Sequence, residues 1–316
     1  MHVPVVANGV LDTIGRTPIV RLARIAPAGS ADVFVKLEYF NPTGSYKDRM
    51  ALAMIEGAEA SGALRPGMRV IEYTGGSTGS SLAMVCALKG YRFAPLSSDA
   101  FAREKILTMR AFGAEVEIVP SEGGKVTPAL FDRFRARIAV MREEPGTYWT
   151  DQFHNADALN GYEQIGVELL EQLGPVDVFC GAVGTAGMLV GVSRALKAGG
   201  NKARIVALEP SGSPLLTTGR AGAHRVEGTA PGFVPPHLTS ADYDEARAVD
   251  EEAARAMARC LAREEGIFAG VSTGVNVLAA LQIAAELGPG HRVATVAVDT
   301  GLKYLAGDLF ADEQRS

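Results

Sequence analysis

The chain has 316 residues, 47% hydrophobic and 21% charged, which excludes global disorder and is enough for about two domains of ~150 residues each. Its 31 Lys and Arg against 36 Asp and Glu leave a net charge of −5, so there is no cationic surplus to neutralise a nucleic-acid backbone. Cys86, Cys180 and Cys260 are too far apart in sequence for a close zinc or disulfide pair, and the N-terminus has no basic start followed by a long apolar run, so a reducing, cytosolic setting without a secretory leader is expected.

In chain order, short β-branched runs predict strands over residues 33–37, 70–73, 93–96, 116–119, 176–180, 205–208 and 293–298. Ala, Leu, Ile and Met at three- and four-residue spacing predict helices over 46–60, 80–89, 103–112, 129–141, 160–173, 188–197, 252–265 and 275–286. Such alternation predicts an α/β fold, because each crossover must return the chain to the same sheet edge and lay a helix on the sheet. Glu143, Glu144, Pro145 and Gly146 interrupt the pattern at 143–148, the expected seam, and a looser loop runs from 210 to 240. Residues 267–285 carry no charge and approach the ~20 residues that span a bilayer. Ser272, Thr273, Asn276 and Gln282 make that stretch too polar, so a buried turn and helix are expected and no membrane association.

Ligands of such sheets bind beyond the carboxyl ends of the strands, and four loops there are unusual. The first, 41–49 (NPTGSYKDR), enters a helix with Ser45 and Asp48 spaced as a capping box. Lys47 falls in the first helical turn, where backbone dipoles disfavour a cation. If it is also desolvated its pKa falls, and a neutral amine is what a Schiff-base nucleophile or proton-transferring base requires. A solvated surface lysine is the alternative for a lysine taken alone. The second loop, 181–187 (GAVGTAG), joins a strand to a helix and reads as an anion cradle of converging backbone N–H groups. Its spacing is not the dinucleotide fingerprint, yet Glu209 ends the next strand where a ribose-binding acid would stand, so nicotinamide binding stays open beside a plain packing turn. The third, 74–79 (TGGSTG), concentrates hydroxyls and backbone donors at a helix start, suited to a carboxylate or to a simple cap. The fourth, 270–274 (GVSTG), offers Ser272 or Thr273 as an N-cap and a ligand contact, with Asp299-Thr300-Gly301 expected on the same edge. The five histidines lack metal-ligand spacing, G-x-S-x-G is absent, and Trp149 and the methionines are expected in the core.

Taken in order, these loops resemble those of the cysteine synthase (O-acetylserine sulfhydrylase) and cystathionine β-synthase family of pyridoxal-phosphate enzymes, fold type II. The match runs from Ile14-Gly15-Arg16-Thr17-Pro18 through 41–49, 74–79, Gln152-Phe153, 184–187, Glu209-Pro210 and 228–233 to 272–274 and 299–301. The resemblance implies two open, twisted, mostly parallel sheets with helices on both faces. It also implies a smaller substrate-side domain of residues 38–147, a larger cofactor-binding domain of 1–37 and 148–316, and a homodimer. Pyridoxal 5'-phosphate would be bound as a Schiff base to Lys47, with its phosphate on Gly184, Thr185, Ala186 and Gly187 and its ring nitrogen facing Ser272. Thr74, Gly75, Gly76, Ser77, Thr78 and Gln152 would receive the substrate carboxylate, Glu209 becomes an ordinary strand-end residue, and no metal is implied.

The implied chemistry is removal of the α-proton by Lys47 and departure of a β-leaving group. The aminoacrylate then accepts a small nucleophile, as when O-acetylserine and sulfide give cysteine and acetate, or it is hydrolysed, as in a cysteine desulfhydrase or a serine/threonine dehydratase. A serine opposite the ring nitrogen stabilises its protonated form less than a carboxylate does, which favours prompt elimination over transamination. A non-catalytic ligand- or partner-binding protein on the same scaffold is the reading from another class. The chain departs from the family loop T-S-G-N-T-G, with Gly75 and Ser77 in place of serine and asparagine. Ser77 thus stands where the family asparagine contacts the cofactor's ring oxygen. In the phosphate loop Ala186 and Met188 replace a glycine and a threonine. These changes leave the amino-acid substrate and the nucleophile open.

Overall fold

The computed structural model describes residues 6–124 and 127–311. Its strands are β1 (Ile19–Arg21), β2 (Asp32–Leu37), β3 (Arg69–Tyr73), β4 (Arg92–Ser97), β5 (Glu117–Ile118), β6 (Thr147–Trp149), β7 (Val178–Ala182), β8 (Arg204–Pro210), β9 (Glu245–Val249) and β10 (Arg292–Ala297). Its helices are α1 (Lys47–Ser61), α2 (Ser77–Lys89), α3 (Arg103–Ala111), α4 (Pro128–Met141), α5 (Asp157–Leu173), α6 (Gly187–Ala198), α7 (Leu215–Thr218), α8 (Glu251–Cys260) and α9 (Val271–Leu287).

The strands form two sheets, one in the order β1-β2-β10-β7-β8-β9 and one in the order β5-β4-β3-β6. Every pairing is parallel except that of β1 with β2. Parallel strands need helical crossovers and are covered on both faces, which is why β7 and β10 read as nearly unbroken apolar runs. One core runs between the sheets, joining Met50 and Met54 of α1, Leu82 of α2, Tyr162 and Ile165 of α5 and Val190 of α6 to Val70, Phe179 and Ile205 on the strands. A second fills the far side of the six-stranded sheet under α8 and α9, and a third packs α4 on the four-stranded sheet.

Three strands escape the periodicity reading. β1 and β6 are each only three residues of intermediate or exposed positions, too short for alternation to register, and β9 is a half-exposed edge. The expected seam at 143–148 therefore runs into β6, which pairs with β3 from Arg69↔Thr147 onward. The helix expected over 252–265 is α8 followed by a π-helical turn, Leu261–Glu265, closed by Gly266 at φ 69°. Several helices begin earlier than expected, and two of these extensions matter for the site: α2 takes in Ser77 and Thr78, and α9 takes in Ser272 and Thr273. Their hydroxyls thus stand in first turns, at the positive ends of helices. Among the described residues no helix is long and apolar enough to cross a membrane; the uncharged stretch lies in and before α9, which is buried along most of its length.

Candidate active site

A cleft of about 770 Å³ opens where the carboxyl ends of β3, β7 and β10 meet the starts of α1, α2 and α9. Gly44, at φ 74°, turns the chain after Asn41 and delivers it into α1. The expected Ser45–Asp48 capping box does not form. Ser45 Oγ accepts from the Lys47 N–H at 3.2 Å, while the buried Asp48 carboxylate folds back to the N–H (2.7 Å) and hydroxyl (2.5 Å) of Thr43. The tight turn at Gly44 brings Thr43 nearer to Asp48 than the helix's own first amides.

Lys47 is the first residue of α1, with Nζ 5.0 Å from the centre of the Tyr46 ring and 5.7 Å from that of Tyr162. Burial pushes its pKa down to about 8 against the opposing pull of the Asp299 carboxylate. Across from it Asp299 is 3% exposed. Its Oδ2 accepts from Ser77 Oγ (3.2 Å) and the Tyr304 hydroxyl (2.9 Å), and its Oδ1 has no partner among the described residues. Lys303, also buried, donates to Ser77 Oγ at 3.3 Å.

The glycine-rich turn from β7 to α6 is held from beneath by the buried Asn276, whose Oδ1 accepts from the Ala182 N–H (2.8 Å) while Nδ2 donates to the Val296 carbonyl (2.9 Å). Gly184 permits a close approach: a Cβ there would lie 2.1 Å from the Gly228 carbonyl oxygen. Ala186 takes a left-handed conformation, φ 66°, and Gly187 starts α6. In the turn from β3 to α2, Thr74 Oγ1 accepts from the N–H groups of Gly76 (3.0 Å) and Gly79 (3.2 Å). Thr78 Oγ1 donates to Gln152 Oε1 at 2.8 Å, and Gln152 Nε2 donates to the Tyr73 carbonyl at 3.1 Å. Thr273 Oγ1 accepts from the Val298 N–H (3.0 Å), which fixes the first turn of α9 and with it Ser272.

Lys47, Thr74, Gly75, Gly76, Ser77, Thr78, Gln152, Gly184, Thr185 and Ser272 all line this cleft. Ala186 and Gly187 lie behind the lining, buried in the turn into α6. Glu209 is elsewhere: its carboxylate accepts from the N–H groups of Leu216 (2.7 Å) and Thr217 (2.8 Å) and from the Thr217 hydroxyl (2.8 Å), so it caps α7 and has no free oxygen directed at a ribose. His154 bonds Asp151 at the surface, Trp149 is only half-buried, and among the described residues no metal-binding group of His, Cys, Asp and Glu assembles.

Glu72 escapes the sequence reading. Fully buried at the end of β3, it accepts from the Thr150 hydroxyl (2.7 Å) and from the N–H groups of Gln152 (3.0 Å) and Tyr73 (2.9 Å), and so orients the segment that presents Gln152. Burial raises its pKa to about 7, with those bonds pulling the other way. The available signal was one carboxylate inside the apolar run 70–73. Lys105 and Lys303 also escaped. Lys105 is buried and ion-paired with Glu227, and both line the cleft.

A family model described as pyridoxal-phosphate dependent enzyme matches residues 10–299. The chain belongs to that family. A cysteine synthase of Staphylococcus aureus is 39% identical over 307 residues, covering 96% of this chain and 97% of the relative. An O-ureido-L-serine synthase of Streptomyces lavendulae is 40% identical over 307 residues, covering 96% of this chain and 92% of the relative. The crystal structure of cysteine synthase from Entamoeba histolytica superposes with a TM-score of 0.90 at 32% identity, covering 100% of this chain and 95% of that one. This pyridoxal-phosphate enzyme is thus of the cysteine synthase group, fold type II, and its cofactor is pyridoxal 5'-phosphate. The residues present fit that cofactor. An aldehyde would find the Lys47 amine, whose pKa burial lowers to about 8, a phosphate would find the glycine-rich turn that leads into α6 and leaves no room for a Cβ at 184, and a polar ring atom would find the Ser272 hydroxyl on the cleft lining.

Proposed function

We propose that this enzyme catalyses β-replacement on an activated serine, in its simplest form O-acetylserine plus sulfide giving cysteine and acetate. The observation that carries the reading is one amine, Lys47, with the Tyr46 and Tyr162 rings beside its Nζ and a pKa of about 8, in a cleft also lined by two glycine-rich strand-to-helix turns. The cofactor, when bound, supplies an aldehyde that joins to amines and a ring that withdraws electrons from the substrate α-carbon.

Lys47 would hold the cofactor, be released by the substrate amine, and then take and return the α-proton at Nζ, a task matched to a base that titrates near working pH. Gly184, Thr185, Ala186 and Gly187 would hold the phosphate through N–H groups at the α6 start, which supports the reading despite the missing hydroxyl at Met188. Ser272 would face the ring nitrogen. Thr74, Gly75, Gly76, Ser77, Thr78 and Gln152 would receive the substrate carboxylate. Thr74 Oγ1 already accepts two amides and so has its own proton left to donate, and Gln152 keeps one N–H beyond the bond to the Tyr73 carbonyl. Ser77, held between Lys303 and Asp299, would stand in for the family asparagine beside the ring. A division at residues 38–147 and a homodimer belong to the same proposal.

Borohydride reduction of the holoenzyme followed by peptide mapping tests the assignment, with a pyridoxyl group expected on Lys47. Assay with O-acetylserine tests the reaction. Cysteine is expected with sulfide present, and keto acid as the main product under the same conditions would favour a β-eliminating lyase instead.

A further inference from the structure

Part of the cleft is lined by aromatic rings that pack on one another. Tyr73 stacks on Phe134 (5.6 Å between ring centres) and on Phe153 (6.2 Å), Phe131 meets Phe134 edge-on (6.2 Å), Phe101 lies parallel to Phe134 (6.4 Å), and Phe153 contacts Phe233 (5.3 Å). All six rings line the cleft. Position 75 takes part in this wall, because a Cβ on Gly75 would lie 2.8 Å from the Phe101 ring. The serine of the usual T-S-G-N-T-G loop has therefore given way to space for a ring. The charges beside the wall already have counter-ions: Arg135 is bonded to Asp132 at 2.5 Å, and Lys105 is paired with Glu227.

On the β-replacement reading, on which this inference rests, the amino and carboxylate ends of the amino acid belong to the polar part of the cleft. What remains for the aromatic part is the group bonded to the β-carbon. Hydrosulfide has no carbon surface to bury and acetate only one methyl group, far less than six rings present, whereas an apolar pocket of paired charges and stacked rings binds an uncharged apolar body. We propose that the aromatic part is a subsite for the β-substituent and that the preferred second substrate is an organic thiol with an aryl or branched-alkyl body. The net change is a substitution, with the α-proton taken and returned by Lys47. A sulfur lone pair forms the new C–S bond, the β-carbon–oxygen bond breaks with its electron pair leaving on acetate, and the thiol proton balances that acetate as acetic acid, with no oxidation or reduction.

The test takes the holoenzyme with O-acetyl-L-serine and compares benzyl mercaptan, 2-mercaptoethanol and sulfide, together with calorimetric binding of S-benzyl-L-cysteine and L-cysteine. Apolar pockets discriminate by about 10–200-fold. The expected result is kcat/KM at least about tenfold higher for benzyl mercaptan than for 2-mercaptoethanol, and S-benzyl-L-cysteine bound at least about tenfold tighter than L-cysteine. Phe131→Ala and Phe101→Ala, both at half-buried positions, are each expected to lower these ratios several-fold, with Phe131→Leu retaining part. Turnover with sulfide but no preference for benzyl mercaptan overturns the subsite and leaves β-replacement intact, as does tight S-benzyl-L-cysteine binding that survives both alanine variants. No replacement with any of the three nucleophiles overturns β-replacement itself, and the subsite with it.

Discussion

Lys36 and Lys47 are both withdrawn from water, and the protein treats them in opposite ways. Lys36 Nζ is fully enclosed and meets Glu168 (2.7 Å), the Thr17 carbonyl (2.9 Å) and Gln172 Oε1 (2.9 Å). Beside it Arg49 binds Glu38 at 2.8 and 2.9 Å and Glu168 at 2.6 and 2.8 Å, and the Thr17 hydroxyl donates to Glu38 at 2.6 Å. Burial alone would raise the Glu168 pKa, yet its bonds to Arg49 and Lys36 hold it at about 2. The set locks β2, α1 and α5 together. Lys47, two residues before Arg49 on the same helix, is given aromatic faces and no carboxylate within ion-pair distance among the described residues. Burial pulls the pKa of both lysines down; at Lys36 the bond to Glu168 and its charge oppose that fall and tie the amine into a fastener, whereas at Lys47 the charge of Asp299 is what opposes it.

The largest effect is expected at Lys47. Lys47→Ala should abolish turnover and the pyridoxyl label while the far-ultraviolet circular dichroism stays that of the wild type. Its folded pKa of about 8 lies below the unfolded 10.5, so the unfolded state binds more protons between those values and stability should climb as pH rises from about 8 to about 10.5. Urea titrations of the cofactor-free protein check this, and Lys47→Met should flatten the rise.

Next is the fastener. Glu168→Gln leaves Arg49 and Lys36 short of a counter-ion and should destabilise the fold by about 3–5 kcal/mol in urea unfolding. Because the folded pKa of Glu168 is about 2, below its ordinary 4.5, its contribution is full above pH 4.5 and lost as pH falls toward 2. A loss under about 1 kcal/mol in the variant would mean the cluster behaves like surface pairs and would dissolve the contrast.

Glu72 sharpens the contrast from the acidic side, as a buried carboxylate given neutral donors only. Its folded pKa of about 7 exceeds the unfolded 4.5, so the folded state holds the proton more tightly. The resulting stability is full below pH 4.5 and lost as pH rises through about 7. Glu72→Gln should flatten that decline and raise the KM for the amino acid through Gln152, and an unchanged pH profile would count against the assignment. The smallest effect is at Ala186, whose φ of 66° is unfavourable for an L-residue. Ala186→Gly should stabilise by less than about 1 kcal/mol, since glycine also loosens the unfolded chain.

Much of this was legible from local pattern. Long helices such as α5, and strands such as β10, announce themselves through spacing that any window of residues reveals. The turns at 74–79 and 181–187 are legible too, because glycine and hydroxyl residues at a strand-to-helix junction answer to local backbone geometry. β6 was lost because its three residues depend on β3 for their bonding, and the capping box failed because Asp48 found Thr43 first.

The sequence by itself determined the alternating layers, the glycine- and hydroxyl-rich turns and the presence of a lysine at the first turn of α1, since each is set by neighbours along the chain. Only the tertiary structure decided which lysine is paired and which is free, that Glu72 positions Gln152, and that six rings share one wall. Those outcomes depend on partners remote in sequence, as Arg49 and Glu168 are at a separation of 119 residues. A charge or a ring has no environment until the fold supplies one.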